Sequence, residues 1–511
     1  MLFSSYDFVF IFLPLVILAG FLIRKFTKNT LIIYILLLAS LLFYGWSDSS
    51  LLLILALSVV SNIVLAELIH KSKNKLWLIM AIGANLGLLG YFKYMNFFIE
   101  SIEHFFPLGL STLNLALPLG ISFFTFQQIG YQVDIYKGLT KPAPFFKYAL
   151  FVTFFPQLIA GPIVHYTRFL PQIGSISVNA QSLAAGITLF VLGLSKKVLI
   201  ADKLAPLVNY YYANIGQDQF DVGILDMWFV VLAYGFQLYF DFSGYADMAL
   251  GIGLCFSIVL PINFFSPYKA TSLTEFWRCW HITLSDFLRE YVYIPLGGNR
   301  SIHAKQFRNI VLTMLLGGLW HGAGWNFILW GGISGLIMGA EKLCSQNLMR
   351  PFWFSRALRI AVTFIIITLL WVLFRANSID DALKIYSSLL GNTEAIVGSA
   401  LYESLLYGTV ENKIIEISAL LISSVQIQML LFWVGFLSAC GFIIFLLPNT
   451  AQLFKEQLKI MEYNPKLAKK KNVFDKLVWK PNIFWMIFTA FLMLSVTVFM
   501  KRQVEFLYFQ F

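Results

Sequence analysis

Charge is what this sequence has least of. Asp, Glu, Lys and Arg make up 12% of its 511 residues, about half the roughly 25% of an average soluble domain. Histidine is scarcer still, at 6 residues, and cysteine numbers only 4. Cys255, Cys279, Cys344 and Cys440 are far apart and lie in or beside apolar stretches. That spacing excludes a disulfide framework and Cys-x-x-Cys zinc ligation. P-loop, Rossmann and Gly-x-Ser-x-Gly signatures are also missing. What fills the chain is apolar: 59% hydrophobic residues, 17% aromatics and 51 Phe, with a mean hydropathy of +0.75. These figures exclude a disordered chain and a collagen-like fibre, and they argue against a soluble enzyme. An all-α integral membrane protein is expected.

The net charge of +11 sits in short clusters between apolar runs, the positive-inside pattern of cytoplasmic loops. Nucleic acid is therefore not the expected partner. The first apolar run, Phe8 to Ile23, follows Asp7 rather than a basic stretch and reads as a retained span, not a signal peptide. Arg24, Lys25 and Lys28 follow it, and Lys71, Lys73 and Lys75 close the third run. Two basic clusters separated by two spans place the N-terminus outside the cytoplasm. A fourth run covers Leu76–Tyr91. At ~20 apolar residues per span, the later runs bring the expectation to about 10–12 crossings. Residues 151–164 contain Pro156, Gly161 and Pro162 and read as a re-entrant segment, because broken backbone is tolerated at membrane depth only where protein or water satisfies it. Residues 455–480, with Lys469, Lys470 and Lys471 in a row, read as a cytoplasmic loop. The whole chain, 1–511, is expected to form a single polytopic domain.

Polar residues gather in three places. Residues 271–291 open with Ser272-Leu-Thr-Glu275, a capping-box pattern. Projected as one helix, Leu273, Phe276, Trp277, Trp280, Leu284, Phe287, Leu288 and Tyr291 share one side. Glu275, Arg278, Ser285, Asp286, Arg289 and Glu290 share the other, with His281 at the edge. Such a helix lies at the membrane interface or lines a polar cavity. In the second place His321 stands uncharged company among Gly317, Gly318, Gly322, Gly324 and several tryptophans. A histidine inside an apolar run is a functional candidate, and its unperturbed pKa of roughly 6.5 suits proton transfer; a hydrogen bond between helices accounts for it equally well. The third is Tyr234–Gly253, where Asp241 and Asp247 flank Ser243-Gly244-Tyr245, an expected helix break whose carboxylates suit capping, ion binding or orientation of a histidine. No two histidines have i, i+4 spacing, so a metal site is not expected.

These blocks resemble the membrane-bound O-acyltransferase (MBOAT) family, in its bacterial alginate O-acetyltransferase-like branch. The likeness covers most of the chain, with core motifs across 118–391. It is carried by PLGISFFTFQQIGYQVDIYKG (118–138), FFPQLIAGPIVHYTRFLPQI (154–173), YGFQLYFDFSGYADMALGIG (234–253), EFWRCWHITLSDFLREYVYIPLGGNR (275–300) and LWHGAGWNFILWGG (319–332). Cys279 and Phe287 stand where the family pattern often has Arg and Trp. The resemblance implies the MBOAT fold, with two funnels meeting at a thin partition, and re-entrant and interfacial helices beside the spans. It implies His321 as the principal catalytic residue and His281 as the second motif histidine. Arg278, Trp320, Gly322, Asn326 and Asp241 are implied as the substrate-binding surroundings. It further implies acetyl-CoA as donor with no tightly bound cofactor or metal, and a bacterial plasma-membrane location. The expected acceptor is an extracytoplasmic, alginate-like polysaccharide, reached through a partner protein. Peptidoglycan is the alternative acceptor, and a proton-coupled transporter or a non-catalytic scaffold is the alternative class.

Overall fold

In the computed structural model the described residues are 1–26, 30–46, 48–217, 220, 222–300, 302–346, 355–393, 425–463, 477–500 and 507. Among them all regular structure is helical. Six helices are long and apolar enough to cross a membrane: Leu51–Ser72, Lys75–Phe105, Ala180–Asn214, Ile224–Cys255, Trp325–Cys344 and Arg356–Arg375. Four shorter apolar stretches, Asp7–Ile23, Leu31–Gly45, Leu431–Leu446 and Ile483–Phe499, join them. Lys28 and the Lys469–Lys471 run lie outside the described residues.

The first half builds one wall. Helices α1 (Leu13–Phe26), α2 (Thr30–Gly45), α3 (Leu51–Ser72) and α4 (Lys75–Leu89) lead through a π-helical turn, Gly90–Tyr94, into α5 (Met95–Phe105). Helix α6 (Ile121–Tyr136) is almost wholly buried and is tied to α3 by side-chain amides. Gln132 Nε2 donates to the Asn62 carbonyl at 2.7 Å, and Gln128 Nε2 donates to Ser58 Oγ at 3.1 Å.

The segment expected to be re-entrant is broken into α7 (Phe145–Thr153) and α8 (Phe155–Leu158), and residues 151–164 are buried throughout. Its loose backbone groups find protein partners, as burial requires. Phe155 N–H donates to Ser40 Oγ at 3.1 Å and Ile163 N–H to Thr283 Oγ1 at 3.0 Å. Gly120, with φ +69°, lies so close to this segment that a Cβ there would sit 2.2 Å from the Leu158 carbonyl oxygen.

Beyond α9 (Tyr166–Ile173) come α10 (Ala180–Ser195), α11 (Asp202–Asn214) and α12 (Ile224–Cys255). Helix α12 runs unbroken through Ser243-Gly244-Tyr245, against the expected break. The glycines serve a close helix crossing instead. A Cβ on Gly193 would stand 2.5 Å from the Gly244 carbonyl oxygen, and one on Gly251 2.6 Å from that of Gly186, the small-residue packing that replaces hydrophobic driving force in lipid. A π-helical turn, Lys196–Ala201, then sets two successive lysines against α12. Lys196 pairs with Asp247, and Lys197 Nζ reaches both Asp241 at 2.6 Å and Asp202 at 2.8 Å.

The 271–291 region is not the single helix that its periodicity suggests. It forms α13 (Leu273–Trp277) and α14 (Ile282–Leu288), separated by a turn at His281. Helices α15 (His303–His321) and α16 (Trp325–Gln346) follow as an antiparallel hairpin, then α17 (Arg356–Arg375) and α18 (Ile379–Leu389). In the hairpin, a Cβ on Gly318 would lie 2.2 Å from the Phe327 carbonyl oxygen, and one on Gly331 2.3 Å from that of Met314. Apolar side chains divide into two buried clusters. Trp320 belongs to one, Trp330, Trp371 and Phe374 to the other, and the histidines lie at their seam.

Candidate active site

Helix α15 ends on His321, because Gly322 leaves the helical region at φ −155° and ψ 151°. A helix end strands its last carbonyls, and here the π-helical turn after α4 receives them. Tyr94 Oη donates to the Leu319 carbonyl at 2.7 Å, while Lys93 Nζ donates to those of Trp320 at 2.7 Å and His321 at 2.9 Å. A cation at a helix C-terminus also suits the dipole. The imidazole of His321 is buried between aromatic rings, with centroids 5.3 Å from Trp330 and 5.1 Å from Phe374.

His281 is fully buried and occupies the left-handed region, φ 43° and ψ 54°, which a side chain with a Cβ rarely adopts. Its neighbours over-determine the conformation. Ile282 N–H donates to the Asn263 carbonyl at 3.0 Å, Phe265 N–H to the Cys279 carbonyl at 3.0 Å, and Thr283 Oγ1 to Asn263 Oδ1 at 2.7 Å. The turn aims the ring at His321, with centroids 6.4 Å apart and planes at 62°. Phe242, Trp320 and Phe123 surround it, and both ring nitrogens lack a hydrogen bond among the described residues. An unpartnered buried imidazole such as that of His281 is costly.

A cavity of about 240 Å³ reaches His321 and Trp330. Arg278, Arg289 and Lys342 line it together with Thr274, Ser285 and Asn299, and both arginines are exposed. Capping fixes this wall. Ser272 Oγ accepts from Glu275 N–H at 3.1 Å, and the Glu275 carboxylate turns back to Thr271. Glu341 on α16 accepts from the Leu273 and Thr274 N–H groups at 2.7 and 2.9 Å. The result is a largely apolar pocket with exposed arginines at its mouth and the buried His321 among its lining residues.

Among the residues singled out in the sequence, His321 and Arg278 line the cavity, and His281 stands behind His321. Trp320 packs its ring on His281, at 5.8 Å, and on Phe123 and Phe126, at 5.5 Å each. Gly322 gives room to Phe327, whose Cε2 would be 2.1 Å from an added Cβ. Asn326 donates from Nδ2 to the carbonyls of Ala376 at 2.9 Å and Leu373 at 3.3 Å, which anchors the segment that carries Phe374. Asp241 is not among the cavity residues; besides Lys197 it accepts from the Leu507 N–H at 3.2 Å. Sequence reasoning passed over Lys93, Arg289, Lys342 and Glu341 as functional residues. The signal for Lys93 was a lysine inside an apolar stretch, since a charge at that depth marks function by default. Among the described residues, no three or more His, Cys, Asp or Glu gather as metal ligands.

The fold and site define a multi-helix membrane protein with a buried histidine pair beside a pocket lined by basic residues. Residues 136–379 match the MBOAT, membrane-bound O-acyltransferase, family. The chain is 44% identical over 427 residues to the peptidoglycan O-acetyltransferase of Helicobacter pylori, covering 76% of this chain and 80% of that protein. It is 40% identical over 403 residues to the probable alginate O-acetylase AlgI of Azotobacter vinelandii, covering 76% and 78%. It is 26% identical over 272 residues to the teichoic acid D-alanyltransferase of Bacillus subtilis, covering 51% and 68%. The chain belongs to the membrane-bound O-acyltransferase family. It is a multi-pass membrane protein and an O-acetyltransferase, rather than a transporter or scaffold.

Proposed function

We propose that this enzyme takes acetyl from cytoplasmic acetyl-CoA and passes it to an extracytoplasmic polysaccharide of the alginate-like exopolysaccharide type. A partner protein completes delivery, and the bacterial plasma membrane is its site. The observation that carries the donor is the pocket itself: guanidinium and ammonium groups at the mouth suit the phosphates of CoA, and the narrow interior suits a pantetheine arm ending at His321. In the transfer step a neutral His321 takes the proton of the acceptor hydroxyl. The oxygen attacks the thioester carbonyl, the C–S bond breaks, and the proton returns to the departing thiolate. His281, without a hydrogen bond among the described residues, supports the partition and the orientation of His321.

A second reading takes peptidoglycan as the acceptor. Behind it stands the 44% identity to a protein with that name, against 40% for the alginate relative. Replacing the chromosomal gene in the native host with a His321→Ala allele and assaying ester-linked acetate separately on exopolysaccharide and on peptidoglycan tests both. Loss from exopolysaccharide alone supports the first acceptor, and loss from peptidoglycan alone replaces it with the second. Loss from neither removes the proposal.

A further inference from the structure

Lys93 has no role in the transfer step above, yet it is bound to the residue at its centre. It belongs to an apolar helical stretch, Lys75–Phe105, long enough to cross a membrane, where an ammonium group is costly and kept for a reason. The π-helical turn Gly90–Tyr94 presents two adjacent side chains to one helix end, and π-turns of this kind are frequent at functional sites. Lys93 Nζ holds the carbonyls of residues 320 and 321, and Tyr94 Oη holds that of residue 319. Three consecutive carbonyls are thus fixed from positions 225–228 residues away in sequence. The ammonium also lies 6.0 Å from the centroid of the Trp320 ring, which itself packs on His281.

We propose that Lys93 is a positioning residue for acetyl transfer. By clamping the last two carbonyls of α15 it sets the backbone from which the His321 imidazole enters the pocket, and the Trp320 ring that separates His321 from Phe123 and Phe126. The inference rests on the reading of His321 as the proton-transfer residue. A simple helix cap would stabilise α15 without bearing on turnover. A positioning role instead makes turnover depend on the clamp, because displacements of about 1 Å at a reacting group cost on the order of 100-fold.

The test uses the full-length chain in membranes of the native host, with radiolabelled acetyl-CoA as the titrated donor and polymer-bound acetate as the readout. Lys93→Met is expected to lower kcat on the order of 100-fold, with KM for acetyl-CoA within about threefold of wild type, a limit of roughly 0.6 kcal/mol. Lys93→Arg, which keeps charge and paired donors, is expected to recover most of kcat. If Lys93→Met does not accumulate in the membrane, Lys93→Gln is measured against the same thresholds. A kcat within twofold of wild type in the charge-removing variant overturns the proposal. So does a loss confined to KM, or an Arg variant no better than Met. His321→Ala is run alongside: an inactive His321→Ala with a fully active Lys93→Met sinks the positioning role alone, whereas an active His321→Ala sinks the underlying reading with it.

Discussion

Two histidines share the site, and their surroundings divide their work. His321 lines the pocket, whereas His281 is sealed behind it by Phe242, Trp320 and Phe123. His281→Ala is therefore expected to reduce acetyl transfer less than His321→Ala. A greater loss at His281, in the same membrane assay, would reverse the assignment. Arg278 and Arg289 are exposed at the mouth, so removing them leaves the fold nearly unchanged. The double variant Arg278→Ala/Arg289→Ala should raise KM for acetyl-CoA by about tenfold or more, since a charge-assisted hydrogen bond contributes roughly 1.5–3 kcal/mol. An unaltered KM would show that the donor's phosphates bind elsewhere. At this scale the buried, aromatic setting of His321 was legible, because a lone histidine in an apolar glycine-rich run stands out. The contacts of Lys93 and Glu341 were not, since each bonds backbone groups of an element distant in sequence; the apolar surroundings of Lys93 mark it out but do not record its partner.

Elements were legible where burial is one-sided and misleading where close packing governs. Ser243-Gly244-Tyr245 suggested a break because glycine weakens an isolated helix. In α12 the same glycine instead lets Gly193 of α10 approach its carbonyl to a distance that no Cβ tolerates. The opposite error occurred at 271–291, where helical periodicity runs straight through the left-handed turn at His281. Tertiary bonds to Asn263 impose that turn, and amphipathic spacing carries no trace of it. The α15–α16 hairpin depends on similar contacts. Gly331→Ala, whose Cβ would meet the Met314 carbonyl at 2.3 Å, should destabilise the protein by about 1–3 kcal/mol. Thermal unfolding in detergent should show a lower midpoint; an unchanged midpoint would mean that the two helices separate without cost.

Over the whole molecule, composition already placed the chain in a membrane, and the six long apolar helices among the described residues agree. What composition left open was how few charges hold so much helix together. Lys196 and Lys197 answer with paired carboxylates, buried on α12 and half-buried on α11. Removing one partner of a buried pair costs about 3–5 kcal/mol, so Lys197→Met should cut the amount of folded protein extracted from membranes, while normal recovery would count against these pairs as supports. The orientation of the body fixes which side supplies the donor. With Cys344, which is exposed, changed to Ser, an Arg289→Cys variant should react with an impermeant maleimide in inverted vesicles and not in right-side-out ones. The reverse pattern would place the basic mouth outside the cytoplasm and remove acetyl-CoA as its ligand. The most direct measurement remains transfer of labelled acetyl from acetyl-CoA by native-host membranes carrying His321→Ala at wild-type protein level. Loss of polymer-bound acetate to background is the predicted result, and transfer at the wild-type rate would contradict the account at its centre.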